Sequence, residues 1–245
     1  MKSKKTLGLI GYGSFGKLVV DVFGQDYAFE VHTRTKPKTL PNNTKFVSLA
    51  QAVSQPIIIL AVPLSAYKNT LKSISKHAPQ NAVVVDVCSV KVVPAKMAQK
   101  YLRDDIEFVG THPLFGPQSA SKSLRGQTLV LCNPKESEFI IKFNALMNKK
   151  GLNIVKMSSQ EHDRQMAEVH ALTFFVARGL MNTGLHKNIL QTPSFQKMLD
   201  LAELETHHSQ ALFETIEGGN PYARAVRIKF IKQLKSLNKN IRKIS

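Results

Sequence analysis

One segment near the N-terminus constrains the fold more than any other. A short apolar run, 7–10, leads directly into Gly11-Tyr12-Gly13-Ser14-Phe15-Gly16, and an apolar helical pattern follows. Strand, glycine turn and helix thus occur in the order of a dinucleotide-binding βαβ unit, although a tight turn without a ligand is the alternative. In such a unit the first glycine permits the turn, the second lets the backbone approach a pyrophosphate, and the third allows close helix packing. Because the phosphates would rest on the helix N-terminus, we expect cofactor contacts from Gly11, Gly13, Ser14, Phe15 and Gly16.

The rest of the first two thirds predicts an α/β fold with a doubly wound parallel sheet. Short apolar runs recur there, and stretches with helical spacing separate several of them; this alternation is typical of βαβ units. We predict buried parallel strands at 7–10, 29–31, 57–62, 83–87, 108–109, 129–131 and 154–155. We therefore assign residues 1–157 to a Rossmann-type dinucleotide-binding domain.

The apolar period changes after Met157, which indicates a second, all-helical domain over 158–245. Apolar residues then recur at steps of three and four, which predicts one helix of about six or seven turns. Ser158 and Glu161 form a capping-box pattern that would start this helix. Further helices are predicted at 194–206 and 209–217. The last helix carries an apolar seam that needs a partner helix, so we expect a homodimer; the seam residues are Phe230, Leu234, Leu237, Ile241 and Ile244.

Composition narrows the class of protein. The 245 residues are 43% hydrophobic and 21% charged, as is usual for globular proteins. The two cysteines have no neighbouring Cys or His at zinc-site spacing, so we expect no metal and a reducing, cytoplasmic location. The longest apolar run, 57–64, is interrupted by Pro63 and is too short to span a membrane. We expect no association with a membrane.

The formal charge of +17 favours anionic partners, either small molecules or nucleic acid. The lysines of the last helix lie off its apolar seam, and no aromatic residues interleave with them as base-stacking surfaces require. A solvated helix face therefore accounts for these lysines, and we expect a small-molecule substrate and no nucleic acid.

The end of the second predicted strand bears on the choice of cofactor. NAD enzymes place an acidic residue there on the ribose 2′-hydroxyl, but this segment contains no acid and has Thr33, Arg34 and Lys36 instead. Arg34 could hold a 2′-phosphate through charge-assisted hydrogen bonds, with support from Thr33 and Lys36. We therefore predict NADP, and a solvated basic loop is the alternative.

Three further segments follow predicted strands and should lie where an open sheet binds ligands: 61–63, 86–91 and 110–117. Val62 and Pro63 in the first segment are expected to contact the cofactor. In the third, Pro113 keeps His112 extended, and the following Gly and Pro predict an irregular loop that displays this histidine. Taken alone, His112 could be structural or catalytic.

These residues resemble the prephenate/arogenate dehydrogenase family of tyrosine biosynthesis. The likeness covers nearly the whole chain and lies in the glycine motif, Asp86-Val87-Cys88-Ser89-Val90-Lys91, Thr111-His112-Pro113-Leu114-Phe115-Gly116-Pro117 and Glu161-His162-Asp163. It implies oxidative decarboxylation of prephenate or arogenate, and the residues after the second predicted strand make NADP the expected cofactor. It also implies that His112 takes the proton of the ring hydroxyl and that Ser89 orients both groups. A histidine with an ordinary pKa of about 6.5 is neutral at cytoplasmic pH, as this role requires. The alternative for Ser89 is that it caps the helix beginning near Val93.

The sequence also departs from the family pattern. His170 matches the first histidine of the family's long helix, but Thr173 replaces the second, and His170 could equally be a buried structural histidine. The family's carboxylate-binding arginine has no clear counterpart, so we consider Arg125, Arg178, Arg224 and Arg227. The candidate substrate-binding residues are His170, Thr173, Arg178 and Arg224.

The sequence does not decide between prephenate and arogenate as the substrate, and two glutamates in the later helices bear on this choice. Glu203 and Glu205 could favour the ammonium group of arogenate over the keto group of prephenate. Two other classes of protein also stay open. One is another NADP oxidoreductase with a Rossmann and a helical domain, such as an imine reductase or a β-hydroxyacid dehydrogenase. The other is a non-catalytic protein that senses NADP or binds nucleic acid.

Overall fold

A computed structural model describes residues 4–35, 39, 41–120, 123–206 and 208–241. Lys36, the side chain of Glu205 and Ile244 lie outside the described residues. The chain forms two compact units, residues 1–159 and 160–245. This division falls two residues beyond the domain boundary that the sequence predicts. Within the described ranges, no helix combines the length and the hydropathy that a membrane span requires.

Unit 1 is built on one twisted sheet. The order of its strands is β3-β2-β1-β4-β5-β6-β7-β8, with the point of reversal between β1 and β4. The strands are β1 Thr6–Ile10, β2 Ala28–His32, β3 Thr44–Phe46, β4 Ile57–Leu60, β5 Val83–Asp86, β6 Glu107–Pro113, β7 Thr128–Cys132 and β8 Asn153–Met157. In an open sheet of this kind, ligands bind beyond the carboxyl ends of the strands at the reversal point.

Helices connect most of these strands. They are α1 Ser14–Phe23, α2 Leu49–Val53, α3 Tyr67–His77, α4 Val92–Tyr101, α5 Pro117–Ala120 and α6 Glu138–Lys149. Ile58 and Leu60 of β4 are fully buried in one apolar cluster with Leu71 and Ile74 of α3. Each such side chain stabilises the fold by about 1.5–3 kcal/mol relative to exposure. The strand ends that carry the candidate site therefore project from a rigid base.

The prediction that all strands are parallel is wrong for β7 and β8. Strands β1 to β6 are parallel, but β7 pairs antiparallel with β6, from Gly110 opposite Cys132 to Pro113 opposite Leu129. Among the described residues that connect β6 to β7, the one-turn helix α5 is the only helix, and the chain returns alongside β6. An antiparallel neighbour needs no crossover helix, whereas α6 returns the chain to make β8 parallel to β7.

Unit 2 is helical, and its first helix differs from the prediction. Helix α7, Ser159–Met166, begins directly after Ser158 and is followed by a π-helical turn, Ala167–Ala171, and by α8, Leu172–Asn182. In the turn the N–H of Leu172 donates to the carbonyl of Ala167, five residues back. The apolar spacing predicts one uninterrupted α-helix, but the extra residue of a π turn rotates the side chains beyond it.

The remaining helices confirm the predicted segments. They are α9 Pro193–Thr206, α10 Gln210–Gly219 and α11 Ala223–Ile241. Phe174 of α8, Ile216 of α10 and Ala223 of α11 are buried together in one apolar cluster. The apolar seam predicted on α11 is not part of this buried cluster. Its residues Leu234, Leu237 and Ile241 are each about half exposed, at 49%, 57% and 56%.

Candidate active site

The glycine turn has the geometry that its three glycines predict. Gly11 follows β1 with φ +99°, a conformation that side chains disfavour, and its N–H donates to the carbonyl of His32 over 2.9 Å. A Cβ at Gly11 would lie 2.2 Å from the carbonyl oxygen of Ala61, and one at Gly16 would lie 2.3 Å from the carbonyl oxygen of Gly11. The close approach of β1, α1 and the end of β4 thus depends on both glycines.

Gly13 and the start of α1 fit the phosphates of a dinucleotide. A Cβ built at Gly13 meets no atom within 4 Å, so open space lies beside the backbone here. No side chain caps α1 and its first turn holds no acid, whereas in α6 the hydroxyl of Ser137 accepts the N–H of Ile140. Backbone N–H groups at such a helix start attract anions. Gly13 and Ser14 are exposed, and Phe15 packs beside Phe115.

The first residues after β2 carry the predicted contacts to a 2′-phosphate. Arg34 is exposed, and the hydroxyl of Thr33 donates to the carbonyl of Thr35 over 3.3 Å. The acid of β2, Glu30, lies two residues before the strand end and accepts a 2.6 Å hydrogen bond from the Gln55 amide. These features agree with a 2′-phosphate site, but the choice of NADP over NAD stays a prediction.

The segment after β4 lies against the glycine turn. Val62 and Pro63 are half-buried, and a Cβ at Gly11 would lie 3.1 Å from Cγ1 of Val62. Since β4 pairs with β1 across the reversal point of the sheet, the fold brings these two predicted cofactor contacts to the predicted phosphate site.

His112 does not lie in the exposed loop that the sequence predicts. It belongs to β6, pairs with Val130 of β7, and only 4% of its surface is exposed. The antiparallel ladder continues beyond it, because the N–H of Leu114 donates to the carbonyl of Thr128 over 2.9 Å. The ring is therefore held in a regular strand at the carboxyl end of the parallel block, not displayed on a flexible segment.

Ser89 lies on the loop between β5 and α4. The last pair of the β5–β6 ladder is Asp86 opposite Gly110. Ser89 follows Asp86 by three residues in the loop, and His112 follows Gly110 by two residues in β6. Ser89 is half-buried, and the N-cap position of α4 is Lys91, two residues beyond Ser89.

Sequence reasoning missed a buried polar network at the same edge. Asp86 and Lys91 are 0% and 1% exposed and form an ion pair. Lys91 also donates to the carbonyl of Thr111, and Tyr67 donates its hydroxyl to Asp86. Burial, and then the charge of Asp86, raise the pKa of Tyr67 well above its ordinary value. The motif from 86 to 91 carried the family likeness, but no sequence pattern distinguishes a buried lysine from a solvated one.

Cys88 lies within this network. Burial raises the pKa of its thiol to about 11, with Asp86 as the second cause, so the thiol is neutral and unreactive at ordinary pH. Both cysteines are buried, and neither forms a disulfide. Among the described residues, no group of three or more His, Cys, Asp or Glu side chains is placed to hold a metal ion.

In unit 2, His170 lies in the π-helical turn. Its ring meets the ring of Phe174 edge-on at 4.7 Å. Withdrawal from water, and then the charges of His208 and His162, lower the pKa of His170 to about 4. His170 is therefore a neutral group. The nearby Thr173 is half-buried and donates to the carbonyl of Val169 over 2.8 Å.

The candidate arginines of unit 2 have different surroundings. Arg178 lies 4.2 Å above the ring of Phe213 and donates to the Gln210 side chain over 3.0 Å. Arg227 forms an ion pair with Glu217. Arg224 is exposed in the first turn of α11. Arg227 is thus committed to the fold of unit 2, and Arg224 is the most accessible to a ligand of these three.

Comparison with known proteins assigns the fold. Among solved structures, the chain is similar to A. aeolicus prephenate dehydrogenase in complex with hydroxyphenyl propionate and NAD+, with a TM-score of 0.72 and 19% identity, over 98% of this chain and 91% of that one. It is also similar to Synechocystis arogenate dehydrogenase, with a TM-score of 0.66 and 19% identity, over 97% of this chain and 93% of that one. These structures share its Rossmann-like unit and helical C-terminal region.

Curated relatives agree with the structural comparison. The chain is 24% identical to a probable arogenate/prephenate dehydrogenase of Methanocaldococcus jannaschii over 76% of its own length and 44% of that protein. It is 25% identical to chloroplastic arogenate dehydrogenase 2 of Arabidopsis thaliana over 89% of its own length and 64% of that protein. The chain thus spans between about two fifths and two thirds of these two relatives.

A family model gives the assignment. The model of the prephenate dehydrogenase nucleotide-binding domain matches residues 20–155, which is more than half of the chain. The matched range contains the loop after β2, the buried network and the strand that carries His112. The chain belongs to the prephenate dehydrogenase family.

Proposed function

We propose that this protein is an NADP-dependent dehydrogenase that oxidatively decarboxylates prephenate or arogenate in tyrosine biosynthesis. The observation that carries the proposal is the position of His112. It ends the parallel block of the sheet, at the same edge as the glycine turn and the segment after β4. Open sheets bind nucleotides at this edge, so a base that lies here would be near a bound nucleotide.

The residues of unit 1 divide the chemistry between them. When bound, the dinucleotide supplies the oxidant that accepts a hydride from the carbinol carbon of the substrate ring. His112 accepts the proton of the ring hydroxyl at an imidazole nitrogen, and Ser89 orients the hydroxyl by hydrogen bonding. The ring carboxylate leaves as CO2 and its bonding electrons complete an aromatic phenol. Because β7 and the core hold β6 rigidly, His112 loses little freedom when the substrate binds.

The cofactor would be held by the glycine turn and the segment beside it. Gly11, Gly13, Ser14, Phe15 and Gly16 would hold the phosphates, with Val62 and Pro63 alongside. Arg34, with Thr33 and Lys36, would hold the 2′-phosphate of NADP. Hydrogen bonds to charged groups contribute about 1.5–3 kcal/mol, so a preference for NADP on the order of tenfold to a hundredfold is expected. Arg34→Glu should then raise KM for NADP far more than for NAD, and an equal effect on both would remove this assignment.

The substrate would also contact the helical unit. We assign His170 and Thr173 as contacts and Arg178 or Arg224 as partners of the substrate carboxylates. His170 suits a neutral polar contact, because its low pKa keeps it uncharged. An arginine fork binds a carboxylate through two parallel hydrogen bonds. The exposed Arg224 and the stacked Arg178 offer such forks.

We propose that the protein is a homodimer and that it works in a reducing, cytoplasmic compartment. The proposed boundary between its two domains lies between residues 157 and 158. The half-exposed seam of α11 supports the dimer, since a second copy would cover it. The two buried cysteines, neither of which forms a disulfide, are compatible with a reducing compartment.

A direct assay tests the proposed activity. The purified chain is supplied with prephenate or arogenate and with NADP or NAD, and the reduced nucleotide and released CO2 are both measured. We expect equal amounts of the two products, with NADP preferred. The values of kcat/KM for the two substrates identify the one that is used. If neither substrate yields reduced nucleotide with either cofactor, the proposed function is wrong.

A further inference from the structure

The strand that carries His112 loses one neighbour just before it reaches this residue. The β5–β6 ladder ends at Asp86 opposite Gly110. Strand β6 continues through Thr111 and His112 to Pro113, while the chain after Asp86 turns away towards α4. On that side, no residue of the described strands pairs with Thr111. A buried backbone carbonyl needs another donor, because leaving it unsatisfied is costly.

Lys91 supplies that donor. Its ammonium group donates to the carbonyl of Thr111 and to the carboxylate of Asp86. In return, the hydroxyl of Thr111 donates to the carbonyl of Asp86 over 2.7 Å. The other carboxylate oxygen of Asp86 accepts the N–H of Cys88 over 2.9 Å and the hydroxyl of Tyr67. These bonds continue the connection between β6 and the segment that follows β5 beyond the end of the ladder.

An ion pair this deeply buried is a weak way to stabilise a core. A protein with apolar side chains of similar volume in place of the pair is often as stable or more stable. The reason is that removing two charges from water costs much of the free energy that their mutual attraction provides. The hydrogen bonds of the pair, however, have a definite direction. They fix the backbone next to His112 on one side and the loop that carries Ser89 on the other.

We propose that Lys91 is a positioning residue that holds His112 in register with Ser89 through Thr111 and Asp86. The inference rests on the proposed function, since both positioned residues belong to the proposed reaction. Lys91 acts on the backbone, not on the substrate or the cofactor. Its loss should therefore lower kcat and leave the binding of dinucleotide unchanged.

Arg103 offers a matched control in the same unit. It forms an ion pair with Asp105 and, like Lys91, donates to backbone carbonyls, those of Ser75 and Ala78. It follows α4 and lies just before β6, away from the carboxyl ends of the strands. Arg103→Met thus removes a cation that also bonds to backbone carbonyls, at 35% exposure compared with 1% for Lys91, without touching the site.

The test compares Lys91→Met, the double variant Asp86→Asn/Lys91→Met, and Arg103→Met. The double variant leaves no unpaired buried carboxylate, so it keeps the experiment decisive if Lys91→Met does not fold. We expect both Lys91 variants to lose kcat on the order of 100-fold, as misplaced catalytic groups do, with NADPH affinity within about twofold of wild type. Arg103→Met should lower Tm and leave kcat unchanged.

A second measurement is independent of turnover. The NMR signals of the His112 ring, assigned with His112→Asn, should shift in the Lys91 variants and stay in place in Arg103→Met. A folded Lys91 variant with wild-type kcat and unchanged ring signals would overturn the proposal. If the wild-type protein turns over neither substrate, the proposed function fails instead, and the ring signals alone decide whether Lys91 positions His112.

Discussion

Replacing Gly13 by Ala should separate folding from cofactor binding. The backbone of Gly13 has φ −72° and ψ −166°, which Ala adopts without strain, and a Cβ there meets no atom within 4 Å. The free energy of unfolding should therefore be unchanged or rise by about 0.4–1 kcal/mol, because Ala restricts the unfolded chain. The new methyl group would occupy the space that the pyrophosphate needs beside α1. We expect the affinity for NADPH to fall at least tenfold, or about 1.4 kcal/mol.

Gly16→Ala is the matched control. A Cβ at Gly16 would lie 2.3 Å from the carbonyl oxygen of Gly11, so α1 must move away from β1 and the free energy of unfolding should fall clearly. Urea unfolding gives the stability of each variant, and NADPH fluorescence titration gives its affinity. Two results would refute the reasoning: wild-type affinity in Gly13→Ala, or a loss of stability in Gly13→Ala as large as that in Gly16→Ala.

Two further predictions concern unit 2. The pKa of His170 is about 4 in the folded chain and about 6.5 when unfolded, so the unfolded state binds the proton more readily and stability falls as pH falls. From pH 7 to pH 5 this should cost about 2 kcal/mol in urea unfolding; His170→Gln should show a smaller loss, and equal losses would contradict the assignment. Leu237→Glu, on the exposed seam of α11, should convert a dimer to monomers in analytical ultracentrifugation, with Lys235→Gln as control; a monomeric wild type would contradict the dimer.

The sequence predicts the order of elements and the glycine turn well because both depend on local sterics. A positive φ at Gly11 and the close packing of Gly16 against the carbonyl of Gly11 follow from residues adjacent in the chain. The placement of 61–63, 86–91 and 110–117 at one edge follows from the parallel order of β1 to β6. Local pattern and sheet topology together thus bring these three segments to one edge, and the roles of their residues stay predictions.

Other features depend on contacts that a single sequence does not contain. An apolar run such as 129–131 is buried in either strand direction, so its spacing could not reveal that β7 is antiparallel. The same strand buries His112, which the Pro and Gly residues after it suggested was exposed. The π-helical turn adds one residue to an otherwise regular pattern. The ion pair of Asp86 and Lys91 becomes visible only when β5, α4 and β6 come together.

The central claim is that His112 is the base of the proposed reaction, and replacing it tests this claim most directly. The initial rate of NADPH formation is measured for wild type and for His112→Asn with the substrate that the wild type uses, and NADPH affinity is measured alongside. A positioned general base contributes about 10²–10⁴-fold to the rate, so kcat should fall by that factor while NADPH affinity stays unchanged. A folded His112→Asn protein that turns over at the wild-type rate would contradict the claim.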